Sequence, residues 1–219
     1  MRPSILPNLL AAAKRNADRG YPDTSLFEVG AAFRNDTPSG QDAVAAGLRH
    51  GNNGHRHWRD TPSGSNVFDA KADALAVLAA VGAPIDNLQI TADAPGWYHP
   101  GRSGILRLGK SVLALFGEIH PKVLRRLDDR GPAAGFEVFL DNIPQPKQRG
   151  GKARSSLLIS TFQPVHRDFA FVVNTSVNAD QILRAVRGAD KVLVTDAGIF
   201  DVYEGAPLGE GRKLSLIHI

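Results

Sequence analysis

Three histidines and one aspartate lie close together in the sequence, at His50, His55, His57 and Asp60. Imidazole and carboxylate groups are common metal ligands, so the cluster first suggests a metal site. Its spacing does not support one, because no helix places these side chains one turn apart as in an HExxH arrangement. The segment 51–54, Gly-Asn-Asn-Gly, is typical of a flexible turn. We therefore predict an exposed hairpin connection here and no metal site.

A second group of reactive side chains lies in the segment Trp97–Ser103, which contains His99 and Ser103. A histidine and a serine can form a base and nucleophile pair, but such a pair needs an orienting acid and a strained elbow. Neither is visible here, and the proline and glycine of the segment favour a structural turn. In the similar segment 117–121, Glu118 and His120 would share one face of a strand.

Known nucleotide and hydrolase motifs are absent from the sequence. It contains no Walker A, GxSxG or dinucleotide fingerprint, and the glycine-rich stretch Gly205–Gly211 has no predicted helix after it. The residues alone therefore predict no catalytic residue. A hydrolase that uses His50, His55, His57 or His99 with a metal ion or a triad remains an alternative.

The composition is that of an ordinary globular protein. Of the 219 residues, 42% are hydrophobic and 22% are charged, which argues against disorder and fibrous repeats. The absence of cysteine excludes disulfides, thiolate metal sites and cysteine nucleophiles. No stretch without a charged residue is longer than Ala74–Ile85, which is shorter than the ~20 apolar residues of a spanning helix. We expect a protein outside the membrane, in a reducing, cytoplasmic setting.

The distribution of charge suggests a boundary between two domains. The formal net charge is +4, and the stretch 145–167 contains basic residues but no acidic ones: Lys147, Arg149, Lys152, Arg154 and Arg167. Such runs are usually exposed linkers, and contact with a polyanion is the minority interpretation. Residues 145–152 also contain a proline and two glycines but no apolar side chain. We therefore predict a linker at 145–162 between domains at 1–144 and 163–219.

The first domain is predicted to contain helices that flank strands. Apolar residues spaced as in an amphipathic helix begin at Leu6, and Ser25–Phe33 alternates as a strand with Phe27 and Val29 on its buried face. The run Val67–Val81 predicts a helix that buries one apolar face, formed by Phe68, Ala72, Leu75 and Ala79. Further strands are predicted at 44–48, 104–108, 111–116 and 136–140, with a tight turn at Gly109-Lys110 and a short helix from Pro121.

The second domain is predicted to be a β-α-β unit. Its elements are a strand at Arg167–Val173, a helix capped by Asn178, and a long strand at Lys191–Tyr203. A stable sheet needs at least three strands, so this domain looks incomplete. The fold class is therefore α+β.

Several short motifs follow one another along the chain in a specific order. In the first domain they are Arg2–Pro7 with Leu9-Leu10, Leu26–Gly30, Phe68–Lys71, Tyr98–Ser103 and Phe116–Pro121. In the second they are Phe162–Val165, Arg167–Phe171, Phe200–Tyr203 and Gly209–Gly211. Together these motifs cover residues 1 to 213, and in this order they resemble the C-terminal portion of the β subunit of bacterial phenylalanyl-tRNA synthetase.

The resemblance implies a catalytically silent first domain. Its fold would be a class II synthetase-like antiparallel sheet with flanking helices, and its role would be to support the catalytic α subunit within an αβ heterotetramer. Class II ATP sites use two arginines. Arg34 matches the first by position, but the segment 117–121 lacks the second. We expect this chain to bind no cofactor, while ATP and Mg²⁺ are implied for the whole enzyme.

For the second domain, the resemblance implies an incomplete ferredoxin-like anticodon-binding domain. Its partner would be the tRNA specific for phenylalanine, and the candidate contacts are the basic residues Arg167, Arg184, Arg187, Lys191, Arg212 and Lys213. After Lys213 the sequence departs from the family pattern. Leu214–Ile219 resembles a non-native tail more than an extension of a third strand. A stand-alone RNA-binding module remains a second alternative.

Overall fold

The computed structural model describes residues 1–54, 57–144 and 161–219, and the chain divides into two compact units, Met1–Gln148 and Arg149–Ile219. The predicted domain limits at 144 and 163 stay predictions, since the linker lies almost wholly outside the described residues. None of the helices in the described part of the chain is long and apolar enough to span a bilayer.

The first unit is a six-stranded antiparallel sheet with helices on both faces. In chain order its elements are α1 (Leu6–Asp18), β1 (Thr24–Phe33), β2 (Gln41–His50), α2 (Val67–Ala80), β3 (Gln89–Thr91), β4 (Tyr98–Leu108), β5 (Ser111–Ile119), α3 (Pro121–Arg126) and β6 (Ala133–Phe139). The strands are ordered β1-β2-β6-β5-β4-β3. The predicted α+β class and the antiparallel sheet with flanking helices are confirmed.

Each face of this sheet has its own core. On one face α1 buries Leu6, Leu9 and Leu10 against strand residues that include Ala46 and Leu48. On the other face α2 packs over β2, β5 and β6, where it contacts Phe116 and other apolar side chains. Because β2 lies inside the sheet with a helix on either side, residues 44–48 are all buried. The alternation predicted for this strand therefore does not distinguish a buried face from an exposed one.

Two predicted buried faces are wrong. On β1, Phe27 and Val29 are 81% and 63% exposed. They lie on the same face of the sheet as α2, but β1 is the edge strand and α2 does not extend over it. On α2, the buried residues are Ala70, Ala74 and Leu78, whereas Phe68 is exposed. Small alanine side chains let α2 approach the sheet closely, and the bulky side chain of Phe68 lies on the exposed side of the helix.

The predicted turn at Trp97–Ser103 is instead the irregular start of β4. The strand pairs Tyr98 with Ile119 and then Ser103 with Gly117, so extra residues bulge out of β4 between these pairs. The bulge is closed by the hydroxyl of Ser103, which donates to the carbonyl of His99 at 2.7 Å. The turn at Gly109-Lys110 is confirmed, with Gly109 at φ +60°.

The second unit has three strands and one helix among its described residues. These are β7 (Asp168–Asn174), α4 (Ala179–Ala189), β8 (Gly198–Tyr203) and β9 (Arg212–His218). The prediction of one long strand at 191–203 is wrong, because only the part from Gly198 pairs with another strand.

The predicted two-stranded sheet is also wrong. Leu214–Ile219 was expected to resemble a tail, but most of it belongs to β9, the central strand in the order β7-β9-β8. Ile217 is fully buried and pairs with Phe169 on β7 and Ile199 on β8. Residues 212–218 therefore hold the sheet of this unit together.

We predict that Ile217→Ala destabilises the second unit by about 2 to 5 kcal/mol, the usual cost of truncating a buried isoleucine. Hydrogen exchange of the full chain should show faster exchange of the β7 amides and unchanged exchange in the first unit. His218→Ala is the control, since His218 is exposed on the same strand. Equal protection in the two variants would contradict a central role for β9.

Candidate functional site

The two faces of the second sheet present different side chains. Ile217 and Ser215 are buried, and Phe171 and Val173 line a groove against α4, so these residues face the helix. Side chains alternate between the faces of a strand, so the intervening residues face away from α4. This open face carries a row across all three strands that joins Val172, Leu214 and Tyr203.

Only one of the six basic candidates lies on this open face. Arg212 pairs with Asn174 at the end of β9, two positions from the row that contains Tyr203. Lys213 lies on the α4 side, where its ammonium donates to the carbonyl of Thr175 at 3.1 Å. Sequence reasoning missed Tyr203 and Val172, which are 46% and 51% exposed. Alternation along β7 places Val172 on the face opposite Phe171 and Val173. The row with Leu214 and Tyr203 could not be predicted, because β9 was not recognised as a strand.

The other four candidates are dispersed around the unit. Arg184 forms an ion pair with Asp180 one turn earlier in α4 at 2.7 Å. Arg187 donates to the carbonyl of Ala197 at 2.9 Å. Lys191 is exposed in the segment after α4, and Arg167 precedes β7. The six residues therefore do not form a single surface, and their roles stay predictions.

On the α1 face of the first sheet, α1 covers the strands with Leu6, Leu9 and Leu10. Beneath the start of this helix lies Glu137 of β6, which is 3% exposed. Its carboxylate accepts a hydrogen bond from the hydroxyl of Ser4 at 2.6 Å. Burial raises the pKa of Glu137, although the hydrogen bonds from Ser4 and from the backbone N–H of Ile5 oppose this shift. Burial also raises the pKa of Tyr98, and the nearby charge of Glu137 adds to this effect.

Arg34, the arginine that matches an ATP-binding position, is already paired. Its Nε lies 2.7 Å from Asp42 Oδ2, and its Nη2 donates to Asp42 Oδ1 at 2.8 Å. Such a two-point contact neutralises the guanidinium and fixes its orientation. The pair lies at the surface, since the Arg34 side chain is 68% exposed.

His50 serves a structural purpose. It is 3% exposed, and its Nδ1 donates to the carbonyl of Pro22 at 2.7 Å. Its Nε2 lies 2.9 Å from Asp129 Oδ1, and Asp129 is also buried. His57 is exposed, and His55 lies outside the described residues. Among the residues that the structure describes, no group of three or more His, Asp and Glu side chains could hold a metal ion.

The segments around His99 and His120 lack the contacts of a nucleophile. The Ser103 hydroxyl donates to a backbone carbonyl, so it does not donate to an imidazole. Glu118 pairs with Arg102 at 2.9 Å, while His120 follows β5 as the N-cap of α3. Glu118 and His120 do not belong to one strand, because β5 ends between them at Ile119.

We predict that His50→Leu lowers the free energy of unfolding of the first unit by about 3 to 5 kcal/mol, since Asp129 then stays buried without its partner. Urea unfolding followed by tryptophan fluorescence measures this change. His57→Leu, at an exposed position, should alter stability by no more than about 0.5 kcal/mol. Similar losses in both variants would contradict a structural role for the buried pair.

We predict that Glu137→Gln removes a pH dependence of stability. The folded-state pKa of Glu137 lies above the unfolded-state value, so the unfolded chain loses this proton first as the pH rises. The wild type therefore loses stability between these two pKa values, whereas glutamine does not ionise and still accepts from Ser4. Unfolding free energies measured from pH 4 to 8 should show the variant gaining on the wild type as the pH rises. A constant difference across this range would contradict the raised pKa.

Comparisons with known proteins assign a family to both units. The family model described as "Phenylalanyl tRNA synthetase beta chain CLM domain" matches residues 1–140. The model described as "Ferredoxin-fold anticodon binding domain" matches residues 160–219. Pyrrolysyl-tRNA synthetase from Desulfitobacterium hafniense is 16% identical, with a TM-score of 0.46 over 64% of this chain and 48% of that chain.

Similar curated relatives are phenylalanine–tRNA ligase β subunits. The protein from Rhodospirillum rubrum is 57% identical over 97% of this chain and 27% of its own length. The protein from Bartonella quintana is 51% identical over 100% of this chain and 28% of its own length. The chain thus spans little more than a quarter of these relatives. From the match over residues 1–140, the chain belongs to the phenylalanyl-tRNA synthetase β chain family.

Proposed function

We propose that this chain is part of the β subunit of a phenylalanine–tRNA ligase, which attaches phenylalanine to its tRNA with the use of ATP. Within that enzyme it supports the catalytic α subunit in an αβ heterotetramer and contributes to tRNA binding. The observation that carries this proposal is the succession of two family matches in one chain, a synthetase β chain domain followed by an anticodon-binding domain. The setting of such an enzyme is the cytoplasm.

The first unit supports this function without taking part in the chemistry. The helix α1 covers the sheet with apolar side chains, and the only acid described beneath its start, Glu137, is bonded to Ser4. The guanidinium of Arg34 forms an ion pair with Asp42. In this proposal the rest of the enzyme binds ATP and Mg²⁺. Among the described residues, the hydrolase alternative has no group of three or more His, Asp and Glu side chains to support a metal ion.

The second unit supports tRNA binding through the open face of its sheet. Single-stranded bases bind proteins by stacking on aromatic rings that lie on exposed sheets, and phosphates bind nearby basic side chains. Here Tyr203 supplies the ring, Val172 adds an apolar neighbour, and Arg212 supplies the charge. Of the six basic candidates, Arg212 is thus the one best placed to contact an anticodon.

We predict that Tyr203→Ala and Arg212→Gln each raise the KM for tRNA of the reconstituted αβ enzyme by about tenfold, the size expected for loss of one stacking or phosphate contact. Phenylalanine-dependent ATP–pyrophosphate exchange, which needs no tRNA, should stay unchanged. Lys213→Gln is the matched control on the α4 side of the same strand.

Two outcomes would contradict the proposal. An equal effect of Lys213→Gln and Arg212→Gln would show that the open face has no special role. Pyrophosphate exchange by the isolated chain would show that its first unit is catalytic. Full affinity and tRNA selectivity in the absence of the α subunit would favour the alternative, a stand-alone RNA-binding module.

A further inference from the structure

The short helix α3 presents a basic face to solvent. Lys122, Arg125 and Arg126 are exposed and are spaced three and four residues apart, which places them on one side of a helix. The opposite side carries Val123, Leu124 and Leu127, which pack against the core beneath α1. The three cations therefore point away from the sheet.

These cations have no acidic partners, in contrast to many others in this unit. Ion pairs join Arg2 to Glu28, Lys14 to Asp18, Arg34 to Asp42, Arg49 to Asp73, Arg102 to Glu118 and Arg107 to Asp93. Within residues 1–54, 57–144 and 161–219, no ion pair involves Lys122, Arg125 or Arg126.

Helix stability does not account for all three charges. Arg125 and Arg126 lie in the last turn of α3, where cations interact favourably with the helix dipole. Lys122 lies in the first turn, where the same dipole opposes a positive charge. Its location is explained better by an external anion than by the helix itself.

Two histidines extend this face with hydrogen-bond donors. The backbone N–H of Gly101 donates to His99 Nδ1 at 3.1 Å, and that of Lys122 donates to His120 Nδ1 at 3.0 Å. A neutral imidazole whose Nδ1 accepts a hydrogen bond carries its proton on Nε2, so both rings offer an Nε2–H. The ring centroids are 6.4 Å apart. This tautomer disfavours a metal ion at Nε2 and favours an acceptor such as a phosphate oxygen.

The acids near this face leave its charge largely uncompensated. Glu118 is held by Arg102, and Asp129 is buried with His50. Asp128 is the one exposed acid that follows α3 within the same loop. Beside this face, Trp97 is 43% exposed and lines an apolar pocket with Val123 of α3. The three cations themselves suit a polyanion backbone, which binds through charge.

We propose that the α3 face, formed by His99, His120, Lys122, Arg125 and Arg126, binds phosphates of the tRNA backbone. This inference rests on the proposed tRNA-binding function and adds a second contact, in the first unit, to the one on the second sheet. Such a contact provides affinity and orientation without reading sequence.

The test compares the reconstituted αβ enzyme that carries the wild-type chain with the enzyme that carries the triple variant Lys122→Gln, Arg125→Gln, Arg126→Gln. The Kd for tRNA specific for phenylalanine is measured from 50 to 200 mM salt. Each lost phosphate contact lowers the slope of log Kd against log salt by about 0.7 to 0.9, so we expect a total decrease of about 2 to 3 for the three cations. The control, Arg15→Gln, Arg19→Gln, Lys110→Gln, removes the same charge from other exposed positions.

The outcomes separate this inference from the proposed function. Equal slopes for the triple variant and the control, with tRNA binding by the wild type intact, would overturn the α3 contact alone. No tRNA binding by the wild type would overturn both. A loss of affinity for polyglutamate as large as that for tRNA would assign the face to an acidic polypeptide instead. Unchanged urea unfolding of the triple variant excludes misfolding as the cause.

Discussion

The first unit depends on covering both faces of one antiparallel sheet with helices. The interior strands β2, β6 and β5 are covered on both faces, and every residue from Val44 to Leu48 on β2 is buried. Close packing in the centre of the unit requires glycine, which has no side chain, at particular positions. A Cβ on Gly47 would collide with the ring of Phe136, and one on Gly135 would lie 3.0 Å from a methyl group of Leu6. The fold therefore depends on small residues in its centre as much as on large ones.

The sequence was sufficient to predict most helices and strands of this unit but not the faces that they bury. Hydrophobic periodicity correctly located α1, α2 and the hairpin between β4 and β5. It assigned Phe27 and Phe68 to the core because apolar residues are expected inside. The structure exposes both, since α2 contacts the sheet through alanines and does not reach β1. Which face is covered depends on where the helices lie, and local spacing carries no information about that.

The candidate tRNA contacts were chosen by chemical type, which carries no information about their location in the fold. Basic residues were identified in the second unit, yet only Arg212 lies beside the exposed Tyr203 row. The histidines looked alike in the sequence, but His50 is buried against Asp129 whereas His99 and His120 lie at the surface near α3. These distinctions arise from long-range strand pairing, which brings together residues that are far apart in the chain.

The position of β9 in its sheet has a consequence for synthesis on the ribosome. Strands β7 and β8 do not pair with each other, because β9 lies between them and pairs with both. Its register joins Asp168 to His218, two residues that are widely separated in the chain. During translation, β7 and β8 therefore lack a strand partner until residues 212–218 have left the exit tunnel. The first unit, whose sheet is complete by Phe139, can fold well before that moment.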